Sequence, residues 1–327
     1  MTVGAQPTFD VHEFRAMGCG IALMAVGASP RAFAAGVADA VAHVEAWEQR
    51  FSRFRADSEL ERLNAAAGAP IAVSPEMLAL VAQAIDGWRF TGGRFDPLLR
   101  QAVVAAGYDR DFAAVVARET WDAAPGAPVA SPADIALDHA AGTITLPAGA
   151  ALDLGGIAKG AWVDAIVPHL ATMWPGGCVD AGGDLRVWGL APEGSAWMVA
   201  VEHPLQPELD IAVLGLPDLA RAAAVATSGR NHRRWATATG DAHHLIDPRT
   251  GRPADAAPLT VTVVAPTTAI AEVAAKALFV SVARGDDPAL PGAALGIVIG
   301  EDGRGVIVPG EAPDACTVYP AIVVEAG

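Results

Sequence analysis

The residues with the most chemical content form one unbroken run, Asp153-Leu154-Gly155-Gly156-Ile157-Ala158-Lys159-Gly160. Glycines just before a helix let backbone N–H groups approach an anion, and the helix dipole favours negative charge there. A following lysine can add a point charge. The run is not a Walker A loop, because Ala158 stands before the lysine and Gly160 follows it. A plain turn into a helix is the alternative for such a segment. A second run, His244-Leu245-Ile246-Asp247-Pro248-Arg249-Thr250-Gly251, gathers His, Asp and Arg at a turn opened by Asp-Pro and closed by Thr-Gly. Polar groups converge in this way where a turn lines a pocket. The adjacent His243 and His244 point different ways on a strand, so one functional and one structural histidine are expected rather than a two-histidine zinc site.

Composition narrows the chemistry. The chain has 327 residues, 52% apolar and 18% charged, which excludes disorder for most of its length. Acidic residues outnumber basic ones 37 to 22, for a net charge of -15. A general nucleic-acid binder needs the opposite sign. An anionic ligand therefore requires a locally basic pocket. Only two of the 22 basic residues are lysines, Lys159 and Lys276. Cys19, Cys178 and Cys316 are odd in number and far apart, so neither a disulfide framework nor a cysteine zinc site is expected. The first residues lack a basic segment followed by an apolar one, and no apolar run is long enough to span a bilayer. A cytoplasmic protein that binds neither nucleic acid nor membrane is expected.

These groups must be positioned by a mixed set of elements. Residues 12–27 read as a strand and 31–51 as a helix with Val37, Val41, Val44, Trp47 and Phe51 at helical spacing. Residues 74–90 read as a helix capped by Ser74, with Pro75 in its first turn and Thr91-Gly92-Gly93 as its stop. A helix plus a surface loop covers 109–136. Residues 143–146 form a strand, and a helix runs from the 153–156 turn to about Met173. Strands flank Gly182-Gly183. Residues 190–220 hold a strand over 197–201 and a proline-rich loop. A strand over 259–264 leads to a helix over 268–284, capped by Thr267 or Thr268 and ended by Gly285. Final strands lie at 296–299, 306–308 and 321–324. No βαβ rhythm is present, so the expected class is α+β, with mixed sheets flanked by helices.

The chain resembles the ApbE family of FAD:protein FMN transferases. Met17-Gly18 matches a Met-Gly-Thr signature, with Cys19 for Thr. Phe51-Ser52-Arg53-Phe54, then Asp57-Ser58-Glu59-Leu60 and Asn64, match a second segment, with Phe54 for the usual Tyr. Gly93-Arg94-Phe95-Asp96-Pro97, the Asp153–Gly160 run, Gly182-Gly183-Asp184, Thr227-Ser228-Gly229 and His244–Gly251 follow in family order, from about residue 14 to 285. The resemblance implies a single two-lobed domain over 1–327, related to tunnelling folds. It also implies FAD and Mg2+ as cofactors, and transfer of FMN to a Thr or Ser hydroxyl of an acceptor protein with release of AMP. It would set Met17, Phe54, Asp96, Asp153, Lys159, Gly182, Gly183, Ser228 and His244 around the nucleotide, with His244 on the flavin or reacting-phosphate side and the Ala158 carbonyl toward the metal.

The family's metal helix carries Asp and Thr four residues apart; this chain has Glu272 and Lys276. Glutamate can ligate Mg2+, whereas a protonated lysine has no lone pair to give. Glu272 is the remaining metal or base candidate. Lys276 is either half of an ordinary helix ion pair or an ammonium standing at the metal position against the pyrophosphate. Three functions follow: FMN transfer, FAD binding with transfer weakened or lost, or hydrolysis of the FAD pyrophosphate.

Overall fold

The computed structural model describes residues 9–116, 129–192, 196–238, 240–254, 258–320 and 324–326. Its centre is a sheet whose strands run in the order Phe9–Ala16, Cys19–Val26, Gly176–Ala181, Asp184–Gly189, Ala224–Gly229, Pro258–Ala265, Leu295–Gly300, Gly305–Pro309 and Val324–Ala326. Neighbours are antiparallel except the last pair. Helices cover it, so the α+β expectation holds. Every residue of Pro258–Ala265 is buried, because helix Thr268–Arg284 lies on one face of this strand and a smaller sheet covers the region behind the other. A strand covered on both faces reads as a continuous apolar run rather than an alternation.

Helix ends follow local chemistry. Ser74 Oγ accepts the Met77 N–H at 3.1 Å at the start of Pro75–Phe90. Thr267 Oγ1 accepts from Ile270 and Gly285 closes Thr268–Arg284 in the left-handed region, φ 71°. Helix Pro30–Phe51 buries Val44, Trp47 and Phe51 against Ala158–Leu170, whose Trp162, Ile166 and Leu170 face inward as expected.

Two stretches depart from expectation. Residues 12–27 are a hairpin rather than one strand. Met17 (φ 50°) and Gly18 (φ 69°) form its two-residue turn, and Met17 is the only non-glycine with positive φ among the described residues. Positive φ at both turn positions suits the twist of the flanking strands. Between 190 and 220, Gln206–Leu216 is a strand paired to Trp197–His203. Its Pro207 sits at the exposed end, where no ladder bond is lost, and Ile211, Leu214 and Leu216 fill the core. Of the 109–136 stretch, Phe112–Val116 is helical, while 117–128 lie outside the described residues, as do 321–323 of the last expected strand. No helix among the described residues is long and apolar enough to cross a membrane.

Candidate nucleotide cleft

The sequence motifs are tied to one another by backbone bonds. The Asn64 side chain bonds both backbone groups of Leu152, accepting from its N–H at 2.7 Å and donating to its carbonyl at 3.0 Å. The Asp153 N–H donates to the Pro97 carbonyl at 2.8 Å. The Asp96 carboxylate takes the Leu98 N–H at 2.7 Å. The Met17 N–H at the hairpin tip donates to Glu48 Oε1 at 3.0 Å. These bonds set Met17, Asp96 and Asp153 on the wall of one cleft of ≈ 350 Å³. That volume is within the range of small-molecule sites, about 300–1,000 Å³.

Two helices cross at the cleft floor. A Cβ on Gly160 would lie 2.6 Å from the Thr268 carbonyl oxygen, so glycine is what permits the approach. Asp164 then caps the second helix, accepting the Thr268 N–H at 3.0 Å and the Ala269 N–H at 2.9 Å. In return Glu272, wholly buried, reaches back from the second helix and accepts the Gly160 N–H at 2.9 Å. Glu272 Oε1 also lies 3.1 Å from Lys276 Nζ and 3.6 Å from Lys159 Nζ. Burial works against its charge, but the two ammonium groups outweigh it and hold its pKa below the ordinary value. Lys159 is paired with Asp184 as well. Burial pushes the Lys159 pKa down, and Glu272 opposes the shift.

The expected amide cradle at 155–160 is largely self-satisfied. The Gly155 N–H bonds Asp153 Oδ1 at 2.8 Å, the Ile157 and Ala158 N–H groups bond the Leu154 carbonyl, and Gly160 serves Glu272. The positive charge here comes from side chains rather than from free backbone donors. Arg233 joins Lys159 and Lys276 on the cleft wall.

His243 and His244 differ in burial and bonding. His243 is structural, its Nε2 3.1 Å from the Ala254 carbonyl oxygen and its Nδ1 accepting from the Leu245 N–H. His244 lines the cleft, and its buried Nδ1 has no partner among the described residues. Burial drives its pKa well below 6.5, with the charges of Arg233 and Lys276 adding to the effect. A neutral imidazole with an open nitrogen can accept a proton. Asp247 and Arg249 do not join it. Asp247 binds Arg284 at the end of the second helix, with Nε to Oδ2 at 3.0 Å, while Arg249 is exposed.

The outer wall is aromatic. The Arg53 guanidinium lies over both the Phe54 and Tyr108 rings, 4.5 and 4.3 Å from their centroids, and reaches Asp153 at 3.5 Å. Phe54 lines the cleft and is 46% exposed. Asp96 is pushed toward its neutral form by burial, against the Leu98 bond.

Gly182, Gly183 and Ser228 do not line the cleft. Gly182 and Gly183 turn the chain between two strands with φ 67° and 89°, Gly183 bonds Asp180, and their effect is to set Asp184 under Lys159. Ser228 is buried in the neighbouring strand. The sequence points to no role for Asp184 beyond its place in the Gly182-Gly183-Asp184 motif. The sequence reading missed Arg233, whose signal was the basic cluster Arg230, His232, Arg233 and Arg234 in an acidic chain. It also missed Trp47, whose Nε1 donates to the Ala158 carbonyl at 3.0 Å.

The ApbE family model matches residues 17–286. The chain belongs to the ApbE family. A FAD:protein FMN transferase of Treponema pallidum is 32% identical over 259 residues, covering 71% of this chain and 67% of that protein. The crystal structure of the ApbE protein of Thermotoga maritima superposes with a TM-score of 0.79 at 22% identity, covering 94% of this chain and 98% of that one. The apo flavinyl transferase ApbE of Pseudomonas stutzeri gives 0.72 at 23% identity, covering 99% and 100%. At these identities the two structures speak for the ApbE fold. The family match covers the cleft motifs from Met17 to the end of the Glu272 helix.

Proposed function

We propose that this ApbE-family chain binds FAD in the cleft and transfers its FMN moiety to a threonine or serine hydroxyl of an acceptor protein. The observation that carries the reading is His244, whose charged form is disfavoured by burial, on the same cleft as a lysine pair and an aromatic wall. The hydroxyl oxygen attacks the FMN phosphorus, the bond from that phosphorus to the bridging oxygen breaks, and AMP departs with the oxygen. The hydroxyl proton passes to the His244 imidazole. Lys159, Lys276 and Arg233 offset phosphate charge, the stabilisation that phosphoryl transfer demands most. Phe54 offers its exposed ring to the flavin, with Arg53 and the buried Tyr108 packed against it.

The Mg2+ implied by the resemblance does not fit the donors present. Both Glu272 oxygens already take N–H donors, the Ala158 carbonyl accepts an indole N–H, and Lys276 offers no lone pair. Transfer is tested by incubating the chain with FAD and an acceptor bearing an exposed threonine, then reading flavin fluorescence on a denaturing gel. A fluorescent acceptor with stoichiometric AMP is expected. AMP without labelled acceptor would make the chain a hydrolase. Bound FAD without AMP would make it a binding protein.

A further inference from the structure

The cleft floor holds a cation of its own. Lys276 and Glu272 are four residues apart on one helix face, and the ammonium lies 3.1 Å from Glu272 Oε1. The lysine stem runs across the glycine turn: a Cβ built on Gly156 would lie 3.4 Å from both Cδ and Cε of Lys276. The stem is therefore fixed between the second helix and the 155–156 turn, with its side chain 17% exposed, at the cleft surface. Glu272, which would have to anchor any divalent ion here, is fully buried and spends one oxygen on the Gly160 N–H and the other between two lysines. The nearby Ala158 carbonyl is turned to Trp47. Every oxygen of the set is committed to a hydrogen-bond donor, and a divalent ion placed among them would also meet two ammonium groups.

We propose that the Lys276 ammonium is the built-in counter-ion of the phosphate site, so that this chain binds a nucleotide pyrophosphate diester without a divalent metal. Glu272 acts as a positioning residue that holds Lys276 and Lys159 toward the cleft. The proposal rests on the FAD reading above and goes beyond it by naming what replaces the metal.

The test is calorimetric titration of the full chain with FAD, once in EDTA and once in MgCl2, with the Lys276→Thr and Lys276→Met variants alongside and their folding checked by circular dichroism. For the natural chain the dissociation constants in the two buffers should agree within about threefold, less than one charge-assisted hydrogen bond is worth. Lys276→Met, which keeps the stem and loses the charge, should weaken binding about tenfold or more in both buffers. Lys276→Thr should bind weakly in EDTA and recover in MgCl2. Water-proton relaxation with Mn2+ alone should detect a site in Lys276→Thr and none in the natural chain. FAD binding that collapses in EDTA, or a saturable Mn2+ site in the natural chain, would overturn the proposal while leaving the FAD reading standing. No FAD binding in either buffer would overturn both.

Discussion

Lys159 pairs with Asp184 and is proposed to hold phosphate, and one pair of variants divides the two roles. Its ammonium is the only side-chain partner of Asp184 among the described residues, and the Asp184 side chain is 2% exposed. Glu272 loses less when Lys159 is removed, because Lys276 and the Gly160 N–H remain. Replacing Lys159 with Met strands one buried carboxylate, which costs about 3–5 kcal/mol when the partner is simply deleted. It also removes a charge-assisted bond to phosphate worth about 1.5–3 kcal/mol, or about 10- to 100-fold in affinity. Lys159→Met should therefore lower the urea midpoint at unchanged m and weaken FAD binding. Adding Asp184→Asn neutralises the stranded group and should restore at least half of the lost stability while restoring none of the FAD affinity. Urea unfolding and FAD titration on the same preparations read the two effects separately. Recovery of FAD affinity together with stability in the double variant would refute the argument, since Lys159 would then act only as the counter-ion of Asp184.

Three further outcomes are expected. If His244 takes the hydroxyl proton, its depressed pKa keeps it neutral through mild acid, so the acid limb of the transfer rate lies below 6.5. A limb at or above that value would exclude His244 as the acceptor. Gly160→Ala pushes a Cβ against the Thr268 carbonyl and should cost about 1–3 kcal/mol in urea unfolding while loosening FAD, because the Glu272 bond goes with it; an unchanged midpoint would show the helices free to separate. Arg284→Ala removes the bidentate partner of Asp247, whose folded pKa is lowered because Arg284 and the Arg249 N–H outweigh its burial. The cost should be about 1.5–3 kcal/mol at neutral pH. It should shrink as pH falls through the folded Asp247 pKa, where the natural chain loses the same contact; a cost independent of pH would point to packing alone.

Legibility in the sequence followed the range of the interactions involved. Ser74, Pro75, Thr91, Thr267 and Gly285 act within one helical turn, and both helices begin and end where these residues predict. The Met17-Gly18 turn was hidden because nothing local announces positive φ at a methionine. The strand Ala224–Gly229 carries no alternation, since small residues packed on both faces give no period to read. The 153–160 motif announced an anion site, but its amides turned inward because their acceptors were already present. One of those acceptors, Glu272, lies 112 residues further along the chain than the N–H it binds.

The sequence by itself determined the family motifs, the limits of helices Pro75–Phe90 and Thr268–Arg284, the mixed fold class and the acidic background that makes two lysines conspicuous. Those properties depend on residue type and short spacing. Tertiary structure alone decided that Glu272 would be shared between Lys159, Lys276 and Gly160, that Trp47 would claim the Ala158 carbonyl, and that Asp184 would stand beneath Lys159. The physical reason is the close crossing at Gly160. Only when two helices approach to backbone contact do buried charges from distant segments become one another's solvent.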